Sequence, residues 1–162
     1  MGSNIFDLNL NQFSSDEIEY IKKLSFNKID KKGNEVRYIK CLARQKDVVL
    51  KPEEIIRQLY IYKLHSKYDY PYSKMEVEYP VSFGREKKRA DIAIFNKAGE
   101  TAPYIIVELK SPKLKDRKEQ LKSYCNATGA PIGIWTNGEQ FSFYHRKDPN
   151  LFEDIPDIPT YN

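Results

Sequence analysis

The sequence predicts a mixed-sheet α/β (α+β) fold whose core runs αβββαβ behind an N-terminal extension. Three observations predict it. Pro52 opens an amphipathic stretch over 53–65. Three short β-branched and aromatic runs follow, at 76–83, 90–95 and 104–109. A second amphipathic stretch, 113–128, then leads to one more apolar run at 131–136. Strands in a meander need only short turns, whereas a strand that returns through a helix lies parallel to its neighbour. The sheet is therefore mixed and carries helices on its faces.

Each element has a local reason. Ser15-Asp16-Glu17 caps a short helix to about Leu24. Residues 28–50 read as a hairpin about Lys31-Lys32-Gly33-Asn34, with a short strand added at Val48-Val49-Leu50. Pro52 suits the first position of a helix, and Ile56, Leu59, Tyr60 and Leu64 make its apolar stripe. Tyr68, Tyr70 and Tyr72 lie in a turn and read as packed rather than as base-stacking groups. Pro112 ends the third core strand. Leu114, Leu121 and Cys125 form the next helical stripe, which Gly129 closes. Asn137-Gly138 turns the chain into a strand over 140–145. Residues 1–51 are thus expected to be an extension, helix plus hairpin, packed on a core of 52–148. Residues 149–162, with Ile155-Pro156-Asp157-Ile158-Pro159, read as a linker-like tail.

Composition narrows the functional classes. With 162 residues, 40% hydrophobic and 13% aromatic, the chain can bury a core and is not disordered. No run reaches the length of a membrane span, and the first residues lack a signal-peptide pattern, so the cytoplasm is the expected location. Cys41 and Cys125 are too few for a disulfide framework and too far apart for a zinc pattern. A net charge of +4 permits nucleic-acid binding. Arg85, Lys87, Lys88 and Arg89, with Lys113 and Lys115, are the candidate DNA-binding residues.

Between those basic groups lie the residues that carry chemistry. Arg-Ala-Asp-Ile-Ala-Ile-Phe ends in apolar strand character after Asp91, and Tyr-Ile-Ile-Val-Glu-Leu-Lys brings Glu108 and Lys110. Folding these two runs about the Gly99–Glu100 bond sets Asp91 opposite Glu108. Glu108 and Lys110 share one face of their strand. Two carboxylates and an ammonium on an apolar sheet face cost free energy unless paired or metal-bound. Carboxylate oxygens suit a hard divalent cation such as Mg2+ or Mn2+, and the Leu109 backbone carbonyl can add a further ligand.

These residues resemble those of the PD-(D/E)XK nuclease superfamily, in its type I restriction enzyme R-subunit N-terminal branch. The resemblance spans roughly 52–145. It implies a restriction-endonuclease-like fold, with Asp91 and Glu108 as metal ligands and Lys110 as the catalytic lysine. Ala90 stands where the family often has proline. Gln120-Leu-Lys-Ser-Tyr124 matches the branch's Q-x-x-x-Y motif, implying that Gln120 and Tyr124 touch DNA or support the metal site. Pro52-Glu53-Glu54 resembles the opening of the family's first core helix, where an acidic residue serves the site. On ideal helix geometry Glu53 lies about 60° from the centre of the apolar stripe and Glu54 nearly opposite, which favours Glu53, free to pair with Arg57 at i+4.

The resemblance implies an Mg2+-dependent endonuclease domain of a restriction system that hydrolyses phosphodiesters of double-stranded DNA. Methyltransferase, specificity or motor domains or subunits are the expected partners. ATP enters only through a motor outside these residues, since no Gly-rich phosphate loop of the Walker type is present. The rival expectation is a catalytically silent DNA-binding or docking module on the same fold.

Overall fold

A computed structural model describes residues 6–96, 100–110, 118–149 and 151–161. Its main sheet has six strands in the order β4-β5-β6-β7-β8-β9. They are β4 (Met75–Phe83), β5 (Glu86–Ile94), β6 (Ile105–Leu109), β7 (Ile132–Thr136), β8 (Phe141–Asp148) and β9 (Leu151–Asp154). The pair β6/β7 is parallel and the other neighbours are antiparallel. The parallel pair arises where expected, because α3 (Lys118–Thr128) carries the chain from β6 back to β7.

The helices cover opposite faces. Helix α2 (Pro52–Ser66) buries Ile55, Ile56, Leu59, Tyr60, Ile61 and Leu64 against Ile92, Ile94, Ile105 and Val107. On the other face α3 packs Leu121, Tyr124 and Cys125 against Ala93, Ile106 and Trp135. Strand β6 is buried along its whole length because both faces are covered. The observed order α2-β4-β5-β6-α3-β7 is the αβββαβ order that the sequence predicts.

The preceding residues build α1 (Ser15–Leu24) and a separate three-stranded sheet, β1 (Ser25–Ile29), β2 (Glu35–Lys40) and β3 (Asp47–Val49). Ser14, one residue earlier than expected, caps α1: its Oγ accepts from the Glu17 amide and the Glu17 carboxylate accepts from the Ser14 amide. Strand β1 starts directly at the helix end rather than near residue 28. Ile39, Cys41 and Leu50 seat this sheet on the α2 side of the core.

The tail departs from the linker expectation. Residues 151–154 add β9 to the sheet edge, and Ile158 is buried in the α2-side core. The Tyr68 hydroxyl donates to Asp157, the Tyr70 hydroxyl to the Pro159 carbonyl, and the Tyr161 amide to the Tyr68 carbonyl. Pro156 and Pro159 hide this anchoring from strand patterning, because the partners are tyrosines far back in the chain rather than a ladder. The same contacts settle the tyrosine-rich turn as packed. Ile158→Ala is expected to cost about 2–5 kcal/mol, the range for a buried aliphatic truncation, read as a lower urea midpoint. A midpoint within about 0.5 kcal/mol of wild type returns the tail to the status of a surface linker.

Candidate active site

The site forms where β5 leaves the apolar layer. Register pairs Ile92 with Val107, and the next step of the ladder sets Asp91 across from Glu108, as the spacing about the loop implies. Glu78 lies opposite Asp91 on the other neighbour, at φ 55°, and the β4/β5 pairing skips both residues. The chain changes sides here. Val77 and Ile92 pack toward α2, whereas Tyr79 and Ala90 pack toward α3. A left-handed glutamate is strained, and such interruptions re-aim side chains next to functional sites. Asp91 is aimed at the N-terminal half of α2.

Both Asp91 carboxylate oxygens are engaged. Oδ2 accepts from the Leu109 amide at 2.6 Å, and Oδ1 accepts from Arg57 at 3.1 Å. Arg57 also donates to Glu54 at 2.9 Å, and Glu54 further accepts from Arg44 and Gln58. Glu54 is therefore a bolt between α2 and the loop after β2, not a solvent-facing group. The Cys41–Arg44 loop covers that side of the helix, which ideal helix geometry alone does not show. Glu54 also takes Arg57 at i+3, in place of the expected Glu53–Arg57 pair.

Glu53 is an exposed residue at the start of α2. Its carboxyl is pushed up by partial desolvation and by Asp91, against the pull of Arg57 and Lys110. Among the described residues it makes no ion pair. Glu53, Glu54, Arg57, Glu78, Arg89 and Asp91 line an open cleft of ≈ 320 Å³ together with Val49 and Lys51.

Glu108 lies 3% exposed on the α3 side, in register with Trp135. Its Oε1 is 3.1 Å from Lys110 Nζ. Its Oε2 is buried with no hydrogen-bond partner among the described residues. Burial, then the nearby Asp91, pushes its carboxyl well above the ordinary carboxylate range, and Lys110 only partly offsets this. A further cation beside Oε2 would relieve both penalties.

Lys110 leads into a chain along α3. Its Nζ donates to Gln120 Oε1 at 2.8 Å, and Gln120 Nε2 donates to the Tyr124 hydroxyl at 2.7 Å. Gln120 and Tyr124 are one turn apart on one face, as their spacing predicts. Tyr124 is only 2% exposed and packs near Phe83, so its ring offers no face to DNA. Its hydroxyl orients Gln120, which orients Lys110.

The basic candidates and the remaining polar and aromatic groups stand as follows. Arg85, Lys87, Lys88 and Arg89 are exposed on the β4–β5 hairpin, and Arg89 meets Glu78 at 3.5 Å. Lys113 and Lys115 lie outside the described residues. His65 is structural: its Nδ1 is 2.9 Å from the Tyr70 carbonyl and its ring stacks on Tyr72. Trp135 is core. Sequence reasoning missed the Arg57–Asp91 pair, although an Arg-Gln step inside an otherwise apolar helical run signals buried polar work. It also missed Glu78, whose backbone angle no pattern shows. Among the described residues no group of three or more Asp, Glu, His or Cys side chains is gathered as a metal cage. None of their helices is long and apolar enough to cross a membrane.

Among curated proteins nothing matches the chain. A crystal structure of a candidate nuclease of the DUF820 group from Anabaena variabilis ATCC 29413 is similar at 16% identity and a TM-score of 0.46. The match covers 70% of this chain and 74% of that one. A likeness that distant carries no argument. The family model for the type I restriction enzyme R protein N terminus matches residues 52–159, about two thirds of the chain. The chain belongs to the type I restriction enzyme R protein N-terminal family.

Proposed function

We propose that this domain is a divalent-metal-dependent DNA endonuclease of a restriction system, hydrolysing phosphodiesters of double-stranded DNA. The observation that carries the reading is the convergence of Asp91, Glu108 and Lys110, with one buried Glu108 oxygen left unpaired among the described residues. The donor set is all oxygen, which fits Mg2+ or Mn2+ rather than a softer metal. Asp91 and Glu108 would hold the ion, with the Leu109 carbonyl and Glu53 as further oxygen donors. Such an ion supplies charge neutralisation and an acidified water when bound. Asp91 would give up Arg57 for it.

The remaining roles fall to the chain's own atoms. Lys110 Nζ, held between Glu108 and Gln120, would orient the attacking water or hold charge on the phosphate. Gln120 keeps that ammonium in position, and Tyr124 keeps Gln120. Arg85, Lys87, Lys88 and Arg89 would contact phosphates, which position DNA without reading its sequence. Family membership supports a place in a restriction system. Methyltransferase, specificity or motor components would be its partners there.

Lys110→Ala tests the central role. Cleavage of plasmid DNA with Mg2+ or Mn2+ is expected to fall about 10²–10⁴-fold, with DNA affinity little changed. Equal losses of binding and cleavage reassign Lys110 as a phosphate clamp. Wild-type cleavage undiminished by excess chelator removes the metal from the reading. DNA binding with no cleavage under either ion, in the assembled system as well as alone, favours the silent-module alternative.

A further inference from the structure

Resting on the reading that this chain acts on DNA, we infer that the outward face of the β1–β3 sheet is a platform for an unpaired DNA strand leaving the cleft. The sheet precedes residue 52, outside the matched family region. Residues 25–51 hold eight basic and three acidic side chains, a net +5. The whole chain carries +4, so the rest sums to −1. This sheet and its connections are thus one of two cationic stretches; the other, residues 108–122, holds six basic and three acidic side chains, a net +3. The β4–β5 hairpin, residues 75–94, holds four basic and four acidic side chains and is balanced.

Two of the eight charges are already used on the inner side. Arg44 pairs with Glu54, and Arg37 is held by Ser25 and Asn27. The acidic side is blunted too. Asp30 accepts the Lys32 and Asn34 amides and so braces the turn. Gly33, at φ 84°, closes that turn and leaves Lys31 and Lys32 exposed at its tip.

The outward face adds the apolar half of the recognition. Register sets Phe26, Tyr38 and Val49 side by side across the three strands. Phe26 is 36% and Val49 38% exposed. The Phe26 and Tyr38 rings stack, with centroids 6.1 Å apart, and Lys28 Nζ lies 5.5 Å from the Tyr38 centroid. Aromatic faces interleaved with lysines bind single strands, because every unpaired base offers a π-face and every linkage a phosphate. A duplex hides its base faces in its own stack, so this surface fits an unpaired strand better.

The row also leads somewhere. Val49 ends it and, with Lys51, lines the cleft that contains Asp91. From Val49 to Phe26 the sheet spans two interstrand steps, about 10 Å. A strand that leaves the cleft at Val49 meets Tyr38 and then Phe26, with Lys28 alongside.

The test is fluorescence anisotropy on the full chain, with labelled oligothymidine of about 15 nucleotides, a blunt duplex, and a forked duplex bearing that arm. Tighter binding of the fork than of the blunt duplex is expected. Phe26→Ala should weaken fork binding about tenfold, and Phe26→Trp should preserve it. Lys28→Ala combined with Lys31→Ala should lower the salt slope of single-strand binding by about 1.4, at about 0.7 per lost contact. Exposed positions should leave the melting temperature of each variant near wild type. Equal affinity for fork and blunt duplex, or wild-type affinity in both variants, overturns the platform. Cleavage keeps the two readings apart. Platform variants that bind normally beside a Lys110→Ala protein that cannot cut refute the platform alone. Lost fork binding in a protein that never cuts refutes the nuclease alone.

Discussion

Glu108→Gln is expected to abolish cleavage and, in metal-free buffer, to make the protein more stable. The two effects share one cause. Glu108 is buried beside Asp91 with one oxygen unpaired among the described residues, and its carboxyl is held well above the ordinary carboxylate range. A carboxyl whose folded pKa is raised favours folding at low pH. That contribution is lost as pH rises from the ordinary carboxylate value toward the raised folded one. At pH 8 the metal-free wild type carries the cost of an ionised or proton-trapping site, and a glutamine side chain does not. The substituted amide can still accept from Lys110 through its oxygen. Replacing a poorly compensated buried charge is worth about 1–3 kcal/mol, and each kcal/mol shifts the midpoint about 2–4 °C at this size.

Three measurements check it. The Glu108→Gln melting temperature should exceed wild type by more at pH 8 than at pH 5. Mg2+ should raise the wild-type midpoint by mass action and leave the variant nearly unmoved. Cleavage should fall by at least about 10²-fold, as for loss of an electrostatic stabiliser at the reacting centre. A variant less stable than wild type at pH 8 shows that the Lys110 pair outweighs the repulsion from Asp91. A variant that cuts normally removes Glu108 from the site.

Much of this site was legible because its signals are short-range. Strand alternation puts Glu108 and Lys110 on one face, and the symmetric spacing about the loop sets Asp91 opposite Glu108. Helical periodicity puts Gln120 and Tyr124 together. The missed features depend on contacts between distant parts of the chain. Glu54 looks solvent-facing on an isolated helix and is partly buried because the loop after β2 lies on it. The tail looks like a linker because its anchors, Tyr68 and Tyr70, lie far back in the chain. Glu78 carries no composition signal at all; its left-handed backbone is imposed by the sheet around it. The charge of the β1–β3 sheet is legible by simple counting over residues 25–51, but which of its side chains face outward depends on the strand register.

Asp91→Ala should separate from Glu108→Gln in sign. Both remove a carboxylate from the same site, and both should stop cleavage. Asp91, however, is fully used in the fold: it accepts from Leu109 and from Arg57. Arg57 is 8% exposed, and its Nε already lacks a partner among the described residues. Alanine strands the guanidinium group that faced Asp91 and frees the Leu109 amide. Breaking a buried pair from one side costs about 3–5 kcal/mol. The lower end of that range is expected because Glu54 still holds Arg57. Urea unfolding of the metal-free protein should show a lower midpoint with an unchanged slope. Arg57→Met in the Asp91→Ala background should recover part of the loss, since it removes the stranded charge. In a double-mutant cycle the two changes should then couple, as residues in contact do. An Asp91→Ala protein as stable as wild type, or strictly additive effects, means that Arg57 is satisfied without Asp91. The pair would then be an incidental contact across the cleft rather than the clamp that aims the aspartate.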